Sequence, residues 1–137
     1  MDCIARIAKA AGLLCLGVAL TACTLDFSVP AQAVTELSVY QSDPQIFKLV
    51  VPADDPVVVT VNAWVAAHSD GWRYAFITRP SRIYLSGKNF SVNIQEHEVS
   101  VKYCRGMFNC HFYVKANEDL FPLIQNTATL KALSRKK

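Results

Sequence analysis

Residues 82–115 read RIYLSGKNFSVNIQEHEVSVKYCRGMFNCHFYVK, and this stretch decides the predicted fold. Apolar and polar residues alternate in short runs that are rich in β-branched and aromatic side chains, as is typical of half-buried strands. Gly87 lies in the first break between runs, where a hairpin turn favours a residue that tolerates positive φ. The stretch therefore predicts antiparallel strands over 82–85, 90–94, 98–103 and 111–115.

Cys104 and Cys110 stand at the two ends of the last predicted turn. In an oxidising compartment such a pair favours a disulfide, which would stabilise the fold by roughly 2 to 2.5 kcal/mol in the chain-entropy model. A free thiol pair and a metal site are the alternatives, although the C-x₅-C spacing differs from that of a zinc knuckle. Met107 and Phe108 lie at the tip of the hairpin, where apolar side chains are difficult to bury locally.

The residues before position 72 mix strand and helix signals. Residues 46–51 and 57–61 are apolar and rich in β-branched side chains, which predicts strands on either side of a turn at 52–56. Residues 62–68 contain good helix formers and stop before Asp70-Gly71, which predicts a short helix.

Further elements are predicted on both sides of the quoted stretch. Trp72, Tyr74 and Phe76 alternate with other side chains, which predicts one more strand with an aromatic face. A C-terminal helix is predicted from apolar residues at helical spacing, namely Leu120, Leu123, Ile124, Leu130 and Leu133. The predicted fold class is α+β: a small antiparallel β-sheet domain with a disulfide-pinned hairpin and a C-terminal helix.

The first 22 residues have the layout of an export signal. A short charged region with Asp2, Arg6 and Lys9 precedes an apolar run over 10–20. Such a run is too short to cross the hydrocarbon core as a helix, which needs about 20 apolar residues. We therefore expect residues 1–22 to be a signal peptide that is removed.

The apolar run ends in Leu20-Thr21-Ala22-Cys23, which resembles the lipobox of bacterial lipoproteins. The resemblance covers the first 23 residues and implies that the Cys23 thiol receives a diacylglycerol and that the chain is cut after Ala22. Thr24, in place of an aspartate that retains enteric lipoproteins in the inner membrane, implies an outer-membrane anchor with the domain in the periplasm. A buried N-terminal helix and an ordinary secretory signal are the alternatives.

The remaining length suits one domain. Residues 23–43 show little periodicity and are predicted to be the lipidated N-terminus and a tether, with an edge strand or a short helix over 34–40 left open. Residues 44–134 are predicted to form a single β-rich globular domain, and residues 135–137 a basic tail. Residues 23–130 hold 8 Lys and Arg against 10 Asp and Glu, a balance that argues against nucleic acid as a partner.

The sequence offers no motif for catalysis or cofactor binding: it lacks Gly-x-Ser-x-Gly and a glycine-rich phosphate loop. His97 lies between two glutamates, but neighbouring side chains of extended backbone point to opposite sides, so a polar turn is preferred to a metal site. His111 is predicted to be a surface residue. We therefore expect neither an enzyme nor a metal centre, and no cofactor beyond the covalent lipid on Cys23.

Tyrosine, tryptophan and arginine dominate protein-binding hot spots, and this chain has more aromatic side chains than a minimal core needs, with arginines among them. The predicted partner-binding residues are Met107, Phe108, Arg105, Trp72 and Arg73. The alternative is that most of the aromatic side chains fill the core.

Two functions fit a small anchored binding domain. The stretch from Trp64 to Arg73 resembles a Trp…Gly-Trp pattern of pilus- and secretin-associated lipoproteins. The first hypothesis is therefore a protein-binding accessory subunit of an envelope assembly of the secretion, conjugation or pilus type. The second is an inhibitor or immunity lipoprotein that blocks a periplasmic hydrolase or toxin.

Overall fold

The structure is a computed structural model that describes residues 23–31, 33–40, 46–76 and 82–135. In this part of the chain seven strands form one antiparallel sheet. The strands are β1 (Thr35–Tyr40), β2 (Ile46–Val51), β3 (Arg73–Tyr74), β4 (Ile83–Ser86), β5 (Phe90–Ile94), β6 (Glu98–Cys104) and β7 (Cys110–Ala116). The helices are α1 (Pro56–Ala67), α2 (Leu120–Gln125) and α3 (Ala128–Ser134). The predicted α+β class is confirmed, whereas the predicted signal peptide over 1–22 lies outside the described residues.

The sheet order is β2-β1-β4-β5-β6-β7-β3. The two hairpins predicted from residues 82–115 are confirmed: Leu85 pairs with Val92, and Cys104 pairs with Cys110. β3 is shorter than the strand predicted from the alternation of Trp72, Tyr74 and Phe76. It pairs with β7, so β5, β6 and β7 lie between β3 and β4 although these two are consecutive along the chain.

The segment that was predicted to be a tether is instead packed into the domain over its described residues. Leu25 and Val29 are buried in the core, and the Val29 N–H donates to the Asn62 side chain over 2.8 Å. β1 is not an edge strand, because it pairs with β2 on one side and with β4 on the other. The tether was expected because the segment lacks a long periodic run, but burial of single apolar residues is sufficient to fix it to the domain.

Residues 57–61 were expected to be a strand, and they form the first half of α1 instead. Asp55 caps this helix by accepting a 2.8 Å hydrogen bond from the Val57 N–H, and Pro56 occupies the first turn, where proline is tolerated. A β-branched residue costs about 0.5 kcal/mol in a helix, whereas full burial of a valine contributes about 1.5 kcal/mol or more. The free energy of burial outweighs the cost in helix propensity, because one face of the helix is buried. Its buried residues are Val57, Val58, Val61, Trp64 and Val65.

The predicted C-terminal helix is present but divided. α2 ends at Gln125, and α3 begins after Thr127, whose φ of −66° and ψ of 151° are extended. The Thr127 hydroxyl donates to the Ile124 carbonyl over 2.7 Å, which satisfies one of the free carbonyls at the end of α2. Leu120, Ile124 and Leu130 are the buried residues of these two helices.

The core lies between one face of the sheet and the helices. A row of directly paired residues crosses five neighbouring strands on this face: Leu37, Leu85, Val92, Val101 and Tyr113. These side chains form one buried cluster with the apolar face of α1 and with α2 and α3. The opposite face carries small polar side chains in its central rows, among them Ser38, Asn93 and Ser100. No helix among the described residues has the length and apolarity needed to cross a membrane.

Candidate binding site at the disulfide-bonded hairpin

The turn between β6 and β7 is closed both covalently and by hydrogen bonds. The predicted disulfide between Cys104 and Cys110 is confirmed, with the two Cα atoms 4.0 Å apart across the strand pair. Arg105 N–H donates to the Asn109 carbonyl over 2.8 Å, and Cys104 N–H donates to the Asn89 carbonyl over 2.7 Å. Gly106 has a φ of +79°, a conformation that favours glycine. The turn is therefore a rigid projection from the sheet.

The tip of this turn presents apolar side chains to solvent. Met107 is 84% exposed and Phe108 is 93% exposed, so both side chains lie almost entirely in water. Phe76 is also exposed, and Ala75 beside it donates to the Phe112 carbonyl over 2.9 Å. This hydrogen bond places Phe76 at the same end of the sheet as the tip. Clustered apolar exposure of this kind marks interaction sites in soluble domains.

The charged side chains of the hairpin are all basic. Residues 99–117 contain Lys102, Arg105 and Lys115 and no Asp or Glu, and Lys115 lies at the far end of the hairpin from the tip, opposite Val99. Arg105 is exposed beside the apolar tip. The Lys102 ammonium lies 5.5 Å from the centre of the Phe112 ring, a cation–π distance. The hairpin therefore presents an apolar tip with the basic side chain of Arg105 beside it.

Aromatic rings support the base of the hairpin. His111, which was expected at the surface, is buried, and its ring stacks on Tyr103 with centroids 5.3 Å apart. Its Nδ1 lies 3.1 Å from the Tyr74 hydroxyl. Phe27 also stacks on Tyr103, with centroids 6.1 Å apart. Tyr74 of β3 and Phe27 of the N-terminal segment therefore contact the hairpin on the face of the sheet that packs against the helices.

Trp72 and Arg73, which were both predicted to bind a partner, differ in their exposure to solvent. Arg73 is exposed, but Trp72 has no exposed surface, and its Nε1–H donates to the His68 carbonyl over 2.8 Å. Trp72 also meets Trp64 edge to face, with centroids 6.3 Å apart. Trp72 is therefore a core residue and not a contact residue, as is the buried Trp64 of the Trp…Gly-Trp pattern.

Cys23 lies against the domain, next to Trp72. Its N–H donates to the Trp72 carbonyl over 2.8 Å, and the Trp72 N–H donates back to the Cys23 carbonyl over 3.2 Å. The main chain at Cys23 is therefore fixed to the folded domain.

The remaining candidate residues do not assemble a reactive site. His97 is exposed in the turn between β5 and β6, where its carbonyl accepts a 3.0 Å hydrogen bond from the Asn117 N–H. Within residues 23–31, 33–40, 46–76 and 82–135, no three His, Cys, Asp or Glu side chains come together as metal ligands would.

An open groove of about 540 Å³ lies at the other side of the domain, between the end of β1 and the C-terminal helices. Its lining is mixed: Val39, Phe47 and Phe121 contribute apolar side chains, and Arg82 and Gln125 contribute polar ones. Arg82 borders the groove and pairs with Glu96 at 3.2 Å. The sequence had not predicted this groove, because its walls come from elements far apart in the chain.

Comparisons of this chain with protein-family models, with curated proteins and with solved structures found no match. The geometry of the hairpin tip is therefore the main guide to function.

Proposed function

We propose that the chain is a lipid-anchored protein of the bacterial envelope that binds a protein partner through the tip of the β6–β7 hairpin. The observation that carries this proposal is the exposure of Met107 and Phe108, at 84% and 93%, on a turn closed by a disulfide. Neither side chain contributes to the core, so the fold itself gives no reason for two large apolar residues at this position.

The rigidity of the turn supports a binding role. Ordering a flexible loop on binding costs free energy, and a turn that is already fixed avoids most of that cost. Gly106 and the Arg105–Asn109 hydrogen bond fix the backbone, and the Cys104–Cys110 disulfide closes it. The backbone that carries the apolar side chains is then already in place, which suits insertion of the tip into a preformed pocket.

The charge of the hairpin indicates the chemistry of the partner. With Arg105 beside the tip and no acidic residue over 99–117, the complementary surface is an apolar pocket with acidic groups on its border. A subunit of an envelope assembly and a periplasmic hydrolase can both offer such a pocket. The two hypotheses therefore share one contact surface and differ in the identity of the partner.

The proposed anchor rests on Leu20-Thr21-Ala22-Cys23 and on the apolar run before it. A lipid on Cys23 would hold the domain close to the membrane, because Leu25 is already buried in the core. The intact mass of the protein from the membrane fraction tests the anchor. Removal of residues 1–22 together with the mass of the acyl chains is expected, and a Cys23→Ser variant should lose both; an unmodified wild type would refute the anchor.

Capture of a partner from detergent-solubilised envelopes tests the binding site. The wild-type chain should retain a defined protein, and Met107→Asp/Phe108→Asp should lose it. A matched control is Val59→Asp/Leu123→Asp, which places two carboxylates on exposed apolar positions of the helices. If the control loses the partner equally, or the tip variant keeps it, the tip is not the contact. A membrane complex as partner supports the assembly role, and a soluble hydrolase supports the inhibitor role.

A further inference from the structure

Met107 is the one methionine that the processed chain would retain. The sequence holds two methionines, and the other, Met1, belongs to the predicted signal peptide. Met107 is 84% exposed, so a small oxidant can reach its side chain without any unfolding of the domain. Oxidation of methionine to the sulfoxide depends on such access, and it converts a flexible apolar side chain into a polar one.

The other sulfur atoms of the chain do not compete with Met107 at the hairpin tip. Cys104 and Cys110 flank the tip, but the disulfide between them leaves no thiol there to react with an oxidant. Cys23 pairs with Trp72, at the opposite end of the hairpin strands from the tip, and the other cysteines belong to the predicted signal peptide. The most readily oxidised group at the tip is therefore the Met107 thioether.

We propose that Met107 is an oxidation site, and that its conversion to the sulfoxide by hydrogen peroxide releases the partner from the hairpin tip. The inference rests on the proposed function, because it assigns a regulation to the same contact surface. A lone pair of the Met107 sulfur attacks one oxygen of the peroxide, the O–O bond breaks, and an S–O bond forms. The departing hydroxide takes up the proton of the transferred oxygen and leaves as water, so the sulfur loses two electrons and the peroxide gains them.

The sulfoxide opposes binding because it places a hydrogen-bond acceptor at the centre of the proposed contact. An apolar pocket offers that oxygen no donor, and burial of a polar group without a partner is unfavourable. Ionised acidic groups on the border of the pocket do not help, since carboxylates only accept hydrogen bonds. The complementary surface that suits the tip with a thioether therefore does not suit the tip with a sulfoxide.

The oxidation should leave the fold unchanged. Met107 belongs neither to the buried core nor to the apolar residues packed against it. Its side chain lies in solvent before the reaction, and a sulfoxide at the same position is solvated by water. The contact surface changes, and the interactions that stabilise the domain do not.

Mass spectrometry of the lipidated protein in detergent measures the reaction at Met107. After peroxide treatment, reduction of the disulfide and digestion by trypsin, the peptide over 106–115 should carry one additional oxygen. We expect a rate within about threefold of that for the same peptide in isolation, because the side chain is exposed. A rate more than about tenfold slower would show that the sulfur is shielded, and it would overturn the proposal.

Capture of the partner measures the consequence, with the peroxide removed by catalase before the partner is added. Oxidised wild type should retain at least about tenfold less partner than untreated wild type. Met107→Leu is the matched control: it has an apolar side chain of similar volume and no sulfur, so it should capture the partner equally with and without peroxide.

Reduction by methionine sulfoxide reductases specific for the two epimers should restore both the original peptide mass and the capture. The thiol that drives these enzymes also reduces the Cys104–Cys110 disulfide, so unoxidised wild type treated in the same way is the reference. The midpoint of thermal unfolding should be the same before and after peroxide. A lower midpoint would mean that loss of capture reflects loss of the fold, against the proposal.

The outcomes separate this inference from the proposed function. If oxidised wild type captures the partner as well as untreated wild type, or if peroxide abolishes capture by Met107→Leu as well, oxidation of Met107 does not control binding, while the proposed function stands. If untreated wild type captures no partner, the proposed function fails and the inference fails with it.

Discussion

The main chains of Cys23 and Trp72 exchange two hydrogen bonds, of 2.8 and 3.2 Å, at the point where the proposed lipid would join the protein. Two residues further, the Leu25 N–H donates to the Ser69 carbonyl over 2.7 Å, and the Leu25 side chain is buried. The N-terminal segment is therefore part of the domain. A lipid on Cys23 would be attached directly to a folded surface, with the orientation of the domain restricted accordingly.

Leu25→Ala should lower the free energy of unfolding by about 2–4 kcal/mol, because a buried leucine is replaced and a cavity is left. Denaturation by urea of the chain beginning at residue 23, with Cys23→Ser, measures the change. Thr24→Ala is the matched control: Thr24 is exposed and makes one 3.3 Å hydrogen bond to Asp70, so its loss should cost no more than about 0.5 kcal/mol. Equal midpoints for both variants would mean that the segment is a tether after all.

Asp55→Ala should destabilise the domain by about 1–3 kcal/mol, since two interactions depend on this carboxylate. It accepts from the Val57 N–H at the start of α1, and both of its oxygens lie within 3.0 Å of the Thr129 hydroxyl in α3. Asp54→Ala removes one negative charge from the neighbouring, exposed position and should change the midpoint of thermal unfolding little. A similar loss in both variants would point to a general charge effect rather than to the cap.

The prediction of a strand over 57–61 was wrong because it gave too little weight to the helix cap at Asp55. Asp55-Pro56 is a helix start signal in its own right, and the run of valines after it was given more weight than the cap. The place of β1 between two other strands of the sheet could not be predicted for a different reason. Its neighbours β2 and β4 are chosen by pairing across the whole domain, and local sequence does not encode which strands meet. The hairpins over 82–115 were predictable because each is closed by a turn that the sequence displays.

Replacement of Cys104 and Cys110 by serine should lower the free energy of unfolding by roughly 2 kcal/mol, the loop-closure contribution for a ring of this size. If the tip binds a partner as proposed, the double variant should also bind more weakly, because the freed turn must be ordered on binding. Guanidinium denaturation with and without reductant measures the first effect, and titration of the captured partner measures the second. Unchanged affinity would show that the turn is rigid without the disulfide.

His111→Ala should cost about 1–3 kcal/mol, whereas His111→Phe should cost less than about 1 kcal/mol. Phenylalanine keeps the ring stacked on Tyr103 and loses only the contact with the Tyr74 hydroxyl, which is close enough to solvent to bond with water. Thermal unfolding of both variants gives the comparison. Should phenylalanine prove as harmful as alanine, the hydrogen bond and not the stacking would be the main contribution of His111.

The proposed binding site was predictable only where its residues are adjacent in the sequence. Met107 and Phe108 were found because a turn between two cysteines has no local means to bury them. Phe76 was placed in an aromatic strand face with Trp72, yet the first is exposed and the second is fully buried, since β3 ends after Tyr74 and alternation stops there. His111 was expected in water because the rings that cover it come from other strands.

The strand order also bears on when this chain can fold. Arg73 and Tyr74 have no strand partner until Val114 and Tyr113 have been synthesised, and β1 lacks its second neighbouring strand until β4 has been made. Pairings between distant parts of a chain form slowly, because the intervening loop must first be closed. A nascent chain that lacks β7 thus has an incomplete sheet. If the chain is exported as proposed above, this topology would delay completion of the sheet until the C-terminal residues have been made, so export could precede folding.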